Sequence, residues 1–220
     1  MVTVVQAPPG AGGEILVVDD DACTTRALRR LLESVGYSVA VADGYEEAMG
    51  ELAFSERFSA VLCDLTLPDG SGADLVHWLR QAHPGLGDRT IVLTGGAVDD
   101  VGRALVEDGE SEVLTKPFKL NTLVERVNAA ANRDPEVFPD PHRMDIRRPN
   151  AGRHLAFSGG RHFCLGAALA RMEGEVGLRS FFERFPDAQL AGEGRRRDTR
   201  VLRGWSQLPV RLGSAVAISR

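Results

Sequence analysis

The sequence predicts an α/β fold: a five-stranded doubly wound parallel sheet over residues 14–131, followed by a partial, mainly α segment over 132–220. Short apolar runs alternate with stretches of helical periodicity, and parallel neighbours need crossover connections of that kind. Asp19, Asp20, Asp64, Thr94 and Lys116 each stand at the carboxyl end of such a run, where a parallel sheet gathers its ligand-binding groups. Charge separates the two parts. Residues 1–131 carry 10 Lys and Arg against 21 Asp and Glu, whereas residues 132–220 carry 16 against 10, an asymmetry that suggests two histories or two jobs.

Residues 1–13, with Pro8, Pro9, Gly10, Gly12 and Gly13, read as a flexible leader without the charged start and apolar core of an export signal. The run Ile15 to Val18 is the first strand. Leu28, Leu31, Leu32 and Val35 share one helix face, closed by Gly36, where a left-handed cap is cheap only for glycine. Ser38 to Ala42 follows as a strand and Tyr45 to Phe54 as a helix. Ala60 to Cys63 is the third strand, and Leu75, Trp78, Leu79 and Ala82 mark the face of the third helix. Thr90 to Leu93, a helix over Val98 to Val106, and Glu112 to Thr115 continue the alternation. Leu120, Leu123, Val124 and Val127 give the fifth helix.

After Ala131 the character changes. Asp134 to Pro149 holds four prolines and reads as an irregular, extended segment. A glycine-rich turn at Ser158 to Gly160 precedes a helical stretch from Leu165 to Phe185, and Pro209 to Leu212 has the look of a strand. On the long helix Leu165, Leu169, Met172 and Val176 form one apolar stripe, and Leu178, Phe181, Phe182 and Phe185 form another. A helix apolar on more than one side expects burial in a larger bundle, so a dimer or a partner protein covering this tail is expected.

Cys23, Cys63 and Cys164 are odd in number and lack metal-ligand spacing, which argues against a disulfide framework or zinc site and fits a reducing cytoplasm. No run reaches membrane-spanning length, no membrane association is expected, and nothing repeats internally. The Arg195 to Arg197 cluster, with Arg200 and Arg203, has no helix-turn-helix beside it, so a surface segment is expected there and not a nucleic-acid interface.

Taken singly, an Asp after a strand is a turn or helix cap, a terminal Thr is packing and a Lys is surface. Together they describe an acidic phosphorylation site. Three converging carboxylates stay ionised near neutrality only around a cation, and Mg2+ is the expected one because it is hard and bridges carboxylates to phosphoryl oxygens. In that site Asp64 is the nucleophile, Asp20 and Asp64 hold the metal directly, Asp19 holds it through water, and the carbonyl of Thr66 completes the set. Thr94 hydrogen-bonds a phosphoryl oxygen and Lys116 neutralises it. The chain has 24 Arg and two Lys, Lys116 and Lys119, so the use of Lys at this position stands out.

The stretches Ile15 to Asp21, Val61 to Gly72, Ile91 to Gly96 and Leu114 to Phe118 resemble the receiver domain of two-component response regulators, with its flavodoxin-like fold. The resemblance implies a histidine kinase or phosphotransfer protein as phosphoryl donor, movement of Thr94 on phosphorylation, and a small Gly95 leaving the phosphoryl group accessible. Three residues before Lys116, where many receivers carry an aromatic that turns inward, this chain has Val113.

The stretch Phe157 to Gly166 allows two readings. Cys164 is either a small buried residue beside a glycine turn, or a thiolate with its pKa lowered by the following helix that ligates haem iron. Phe157, Gly160, His162, Cys164 and Gly166 fall on the pattern of the haem-binding loop of cytochrome P-450 monooxygenases, which this part resembles. The resemblance extends through Asn132 to Pro141, Ala167 to Phe185 and Leu208 to Leu212. It implies Cys164 as axial ligand and His162 on a haem propionate. Arg143 occupies the place of an arginine whose Glu-x-x-Arg partner motif is missing, Met144 replaces the usual Phe, and the oxygen-activating helix is also missing. Monooxygenase activity by this chain alone is therefore not expected. A phosphorylated signalling protein, a haem-binding redox or sensor protein, and a receiver carrying a functionless remnant all remain open.

Overall fold

Strands β1 (Glu14–Val18), β2 (Ser38–Ala42), β3 (Phe58–Asp64), β4 (Thr90–Thr94) and β5 (Glu112–Thr115) form one sheet in the order β2-β1-β3-β4-β5, every pairing parallel. Their crossovers are helices α1 (Ala22–Ser34), α2 (Tyr45–Leu52), α3 (Gly72–Ala82) and α4 (Asp100–Glu107), with α5 (Leu120–Ala131) after β5. A single helical turn, Pro84–Gly87, sits between α3 and β4. The computed structural model describes residues 13–95, 100–107, 111–159, 163–196 and 204–216. It divides into two compact units, one reaching Phe163 and the other beginning at Cys164.

Alternation along each strand sends successive side chains to opposite faces, and helices cover both. Leu16, Val18, Val61, Cys63 and Val92 pack on one face with Ala48, Leu52, Leu75, Val76, Leu79 and Leu105 from α2, α3 and α4. Ile15, Val17, Ala60, Leu62, Ile91 and Leu93 pack on the other with Leu28, Leu32, Leu123 and Val127 from α1 and α5. All seven residues of β3 are buried, as the central strand of a doubly covered sheet should be.

The helix caps explain where the periodic stretches stop. Gly36 has φ +102°, with its amide on the Glu33 carbonyl and the Tyr37 amide on the Leu32 carbonyl, the paired bonds of a Schellman cap closed by apolar Tyr37 and Leu32. The second helix stops at Leu52 and leaves Phe54 exposed. Strand β3 starts two residues earlier than the apolar run suggests and carries Asp64 as its last member. Of the helix expected over Val98 to Val106, Val98 lies outside the described residues, and α4 is described from Asp100.

Residues 132–159 hold mostly turns, as the prolines predict, yet they belong to the first compact unit. Phe138 is buried, Leu155 packs against the α1/α5 core, and the Leu155 amide donates to the Asn132 side-chain oxygen at 2.7 Å.

The second unit contains α6 (Ala167–Arg184) and two small antiparallel ladders: β6 (Gln189–Leu190) with β9 (Val210–Arg211), and β7 (Arg195–Arg196) with β8 (Trp205–Gln207). The strand expected over Pro209 to Leu212 is β9, and the other three were not anticipated. Along α6 Leu169, Met172, Val176, Leu178 and Phe182 are more than half exposed, as is Leu165 before it, so neither apolar stripe is covered in full. Among the described residues no helix is long and apolar enough to cross a membrane.

Candidate functional site

The parallel register brings the carboxyl ends of β1, β3, β4 and β5 together, and with them the five residues singled out in the sequence. Asp64 and Thr94 end β3 and β4, Asp19 and Asp20 follow β1, and Lys116 follows β5. Ligand oxygens of Asp19, Asp20 and Asp64 lie within 4.8 Å of one another, with Asp19 and Asp64 buried and Asp20 exposed. The Lys116 ammonium donates to Asp19 Oδ2 at 2.7 Å and to Asp64 Oδ2 at 2.5 Å. Its own backbone is held by an amide hydrogen bond to the Thr94 carbonyl at 2.7 Å.

Burial raises Asp19 above the ordinary carboxylate value, against the opposing hydrogen bond from Lys116. Burial alone would lower Lys116, but the hydrogen bonds to Asp19 and Asp64 outweigh it and its pKa is raised. One ammonium among three carboxylates leaves excess negative charge. Two like charges about 5 Å apart repel by about 3 kcal/mol at the effective dielectric of a protein surface, so a second cation is favoured. The donor set is all oxygen, which fits a hard divalent ion of the magnesium kind and not a soft one.

The loop after β3 shapes the fourth side of the site. The Thr66 amide lies 3.4 Å from Asp64 Oδ1, and Thr66 forms an isolated bridge with Ser71. A Cβ on Gly72 would stand 1.9 Å from the Asp64 carbonyl oxygen, so the chain can fold back against the main chain of Asp64 and Leu65 only with glycine there. At Gly95 an added Cβ would meet nothing within 4 Å, so packing does not demand its small size. Val113 is partly buried in β5 and packs against the α2/α3/α4 face.

Sequence reasoning missed Asp69. Its Oδ1 accepts the Tyr45 amide at 2.6 Å and its Oδ2 the Glu46 amide at 2.9 Å, which holds its carboxyl below the usual range and fastens the loop to the amino end of α2. The available signal was Gly44 at the N-cap: a glycine has no side chain to satisfy the first amides, so the acceptor must come from elsewhere.

Of the cysteine-loop residues, Phe157, Cys164 and Gly166 are described, whereas Gly160 and His162 lie outside the described residues. Phe157 is half-buried between His154 and Phe163, with ring centroids at 5.6 and 6.5 Å. Cys164 is exposed, Leu165 is fully exposed, and Gly166 is the N-cap of α6. A thiolate suits haem iron, but a porphyrin needs apolar cover on both faces. The apolar side chains beside Cys164 on α6 are in the open, so the described residues do not by themselves fit a haem.

The response regulator receiver domain model matches residues 15–128 and the cytochrome P-450 model matches residues 101–198. They overlap over 101–128, a range whose described residues include most of α4, all of β5 and most of α5. Over 140 residues the chain is 62% identical to cytochrome P-450 140 of Mycobacterium tuberculosis, covering 62% of this chain and 31% of that protein. Over 88 residues it is 53% identical to the 6-deoxyerythronolide B hydroxylase of Saccharopolyspora erythraea, covering 39% of this chain and 22% of the hydroxylase. The chain thus spans less than a third of the length of these relatives. Among solved structures, a receiver domain protein of Methanospirillum hungatei is similar with TM-score 0.50 and 27% identity, over 56% of this chain and 97% of that one. One of Clostridium thermocellum is similar with TM-score 0.51 and 27% identity, over 57% and 99%.

Proposed function

The chain belongs to the response regulator receiver domain family, and on that premise we propose that it is the phosphoacceptor of a two-component phosphorelay, modified on Asp64. The observation that carries this reading is the Lys116 ammonium set between Asp19 and Asp64 at the mouth of the sheet. In the reaction an Asp64 carboxylate oxygen attacks the phosphorus of a phosphohistidine on a histidine kinase or phosphotransfer protein. The P–O bond forms, the P–N bond breaks and the imidazole leaves with its electron pair. Lys116 then exchanges its contact with the Asp64 carboxylate for one with the phosphoryl group, and the Thr94 hydroxyl donates to a phosphoryl oxygen. Asp20 and Asp64, with Asp19 through water and the Thr66 carbonyl, would hold Mg2+, which neutralises phosphoryl charge when bound. A cytoplasmic setting suits such a relay.

The test is labelling by acetyl phosphate. The acyl phosphate should form only with a divalent metal present and should vanish in Asp64→Asn. Labelling that survives either the substitution or chelation sinks the proposal.

A haem-binding redox or sensor protein is the second reading, favoured by the exposed Cys164 thiol at the start of α6 and by the similarity to cytochromes P-450. It needs a second copy or another protein to cover the open apolar stripes. Purified protein supplied with haem that gives no thiolate-type ferrous carbonyl spectrum would count against it.

A further inference from the structure

Asp134 lies in the stretch Asn132 to Pro141 that resembles cytochrome P-450, yet its carboxylate is buried among residues of the receiver. The Arg89 guanidinium reaches Asp134 Oδ1 at 3.1 Å, both side chains being 7% exposed, and the Ser59 hydroxyl donates to Asp134 Oδ2 at 2.8 Å. Arg89 is further fixed by donating to the carbonyls of Gly85 at 2.8 Å and Ser59 at 3.1 Å. On its own side, Asp134 takes the Glu136 amide on Oδ1 and the Val137 and Phe138 amides on its carbonyl. A buried ion pair is tolerable only when its remaining donors and acceptors are satisfied, and neither Arg89 nor Asp134 is among the described residues with a buried side-chain nitrogen or oxygen left without a partner.

Ser59 lies near the start of β3 and Arg89 immediately before β4. Asp64 ends β3 five residues after Ser59, about 17 Å away at the rise of a strand, so this group closes the end of the sheet remote from the acidic site. Further along, Phe138 is buried, the Leu155 amide is bound to Asn132, and a Cβ on Gly159 would come within 2.6 Å of the Val35 carbonyl at the end of α1. The contacts with the receiver therefore fall at the two ends of 132–159, at Asp134 and at Leu155 and Gly159, while residues 142–147 between them are exposed.

We propose that residues 132–159 are a strap of the receiver, latched by the buried Asp134–Arg89–Ser59 group, and not the opening of a separate haem-binding body. A stretch matched by the cytochrome P-450 model has been taken into the receiver, and it cannot support a haem-binding fold without releasing that latch. The functional border of the receiver then lies beyond Gly159, not at Ala131 where its periodic pattern ends.

Limited proteolysis of the full chain, read by mass spectrometry, should leave a resistant core whose carboxyl end falls beyond Gly159. Asp134→Ala leaves Arg89 buried and unpaired, so it should bring the cut back to just after Ala131 and lower the melting temperature by roughly 10 °C. A wild-type core ending near Ala131 overturns the proposal, as does an Asp134→Ala protein whose cut and melting temperature both match wild type. Hydrogen exchange on the unaltered chain gives an independent reading. The amides of Glu136, Val137 and Phe138 should exchange with the slow amides of the sheet, and exchange at free-chain rates would overturn the strap.

Discussion

Two regions of one chain treat their apolar residues in opposite ways. In the sheet, Leu16, Leu62 and Leu93 are fully buried between two layers of helices, whereas on α6 Leu169, Met172, Val176 and Leu178 stand more than half exposed. Yet α6 lies within residues 101–198, the stretch that the cytochrome P-450 model matches, so its open stripes do not come from a lack of likeness to a known family. The difference teaches that an apolar helix face becomes a core only when another layer packs on it. The receiver brings both of its layers. The second unit has one long helix whose apolar side chains stand more than half exposed, and the chain spans less than a third of the length of the relatives it matches.

The sharpest way to break this contrast is to delete the same side chain in both regions. Leu62→Ala should cost about 3 kcal/mol in urea unfolding followed by circular dichroism, whereas Leu169→Ala should fall within about 0.5 kcal/mol. Equal losses would mean that α6 is covered in solution. Buried polar groups should follow at a smaller scale. The Tyr37 hydroxyl donates to Asn128 Oδ1 at 2.8 Å inside the α1/α5 face, and Tyr37→Phe should cost about 1–2 kcal/mol by orphaning that oxygen.

A weaker effect should appear at the acidic site, with a sign opposite to that of a stabilising carboxylate. Because burial raises Asp19, the folded chain binds its proton more tightly than the unfolded chain does. That stabilisation is present below the ordinary value of 3.8 and is lost as pH rises through the raised value. Asp19→Asn should therefore raise the melting temperature of the metal-free protein at pH 7 and flatten its dependence on acid. Magnesium should raise the melting temperature of wild type more than that of the variant. The smallest effect belongs to α6, where the exposed Arg179–Glu175 pair should be worth no more than about 0.5 kcal/mol when Arg179→Ala removes it.

The five strands and the five site residues were legible because apolar runs of strand length, each ending in a polar residue, carry their meaning locally. Helix ends were legible where a residue is needed for its backbone, as at Gly36. The Asp69 clasp and the Asp134 latch were not, because each reaches from a segment without period to residues 23 to 75 positions away. Asp134 was further hidden by its company, since its neighbours point to a different family. Strands β6, β7 and β8 escaped for another reason: two or three residues of strand are too few to form a pattern.

The placement of Lys116 also has a consequence for amine chemistry. A chain that writes its positive charge as Arg offers electrophiles only two side-chain amines, and these are three residues apart. Lys116 is held as an ammonium by two carboxylates, while Lys119 is exposed. Acylating reagents attack the free base, so Lys119 is the side chain they should mark. The receiver domain therefore carries one exposed lysine handle, where a probe or an acetyl group could be attached without touching the carboxylates.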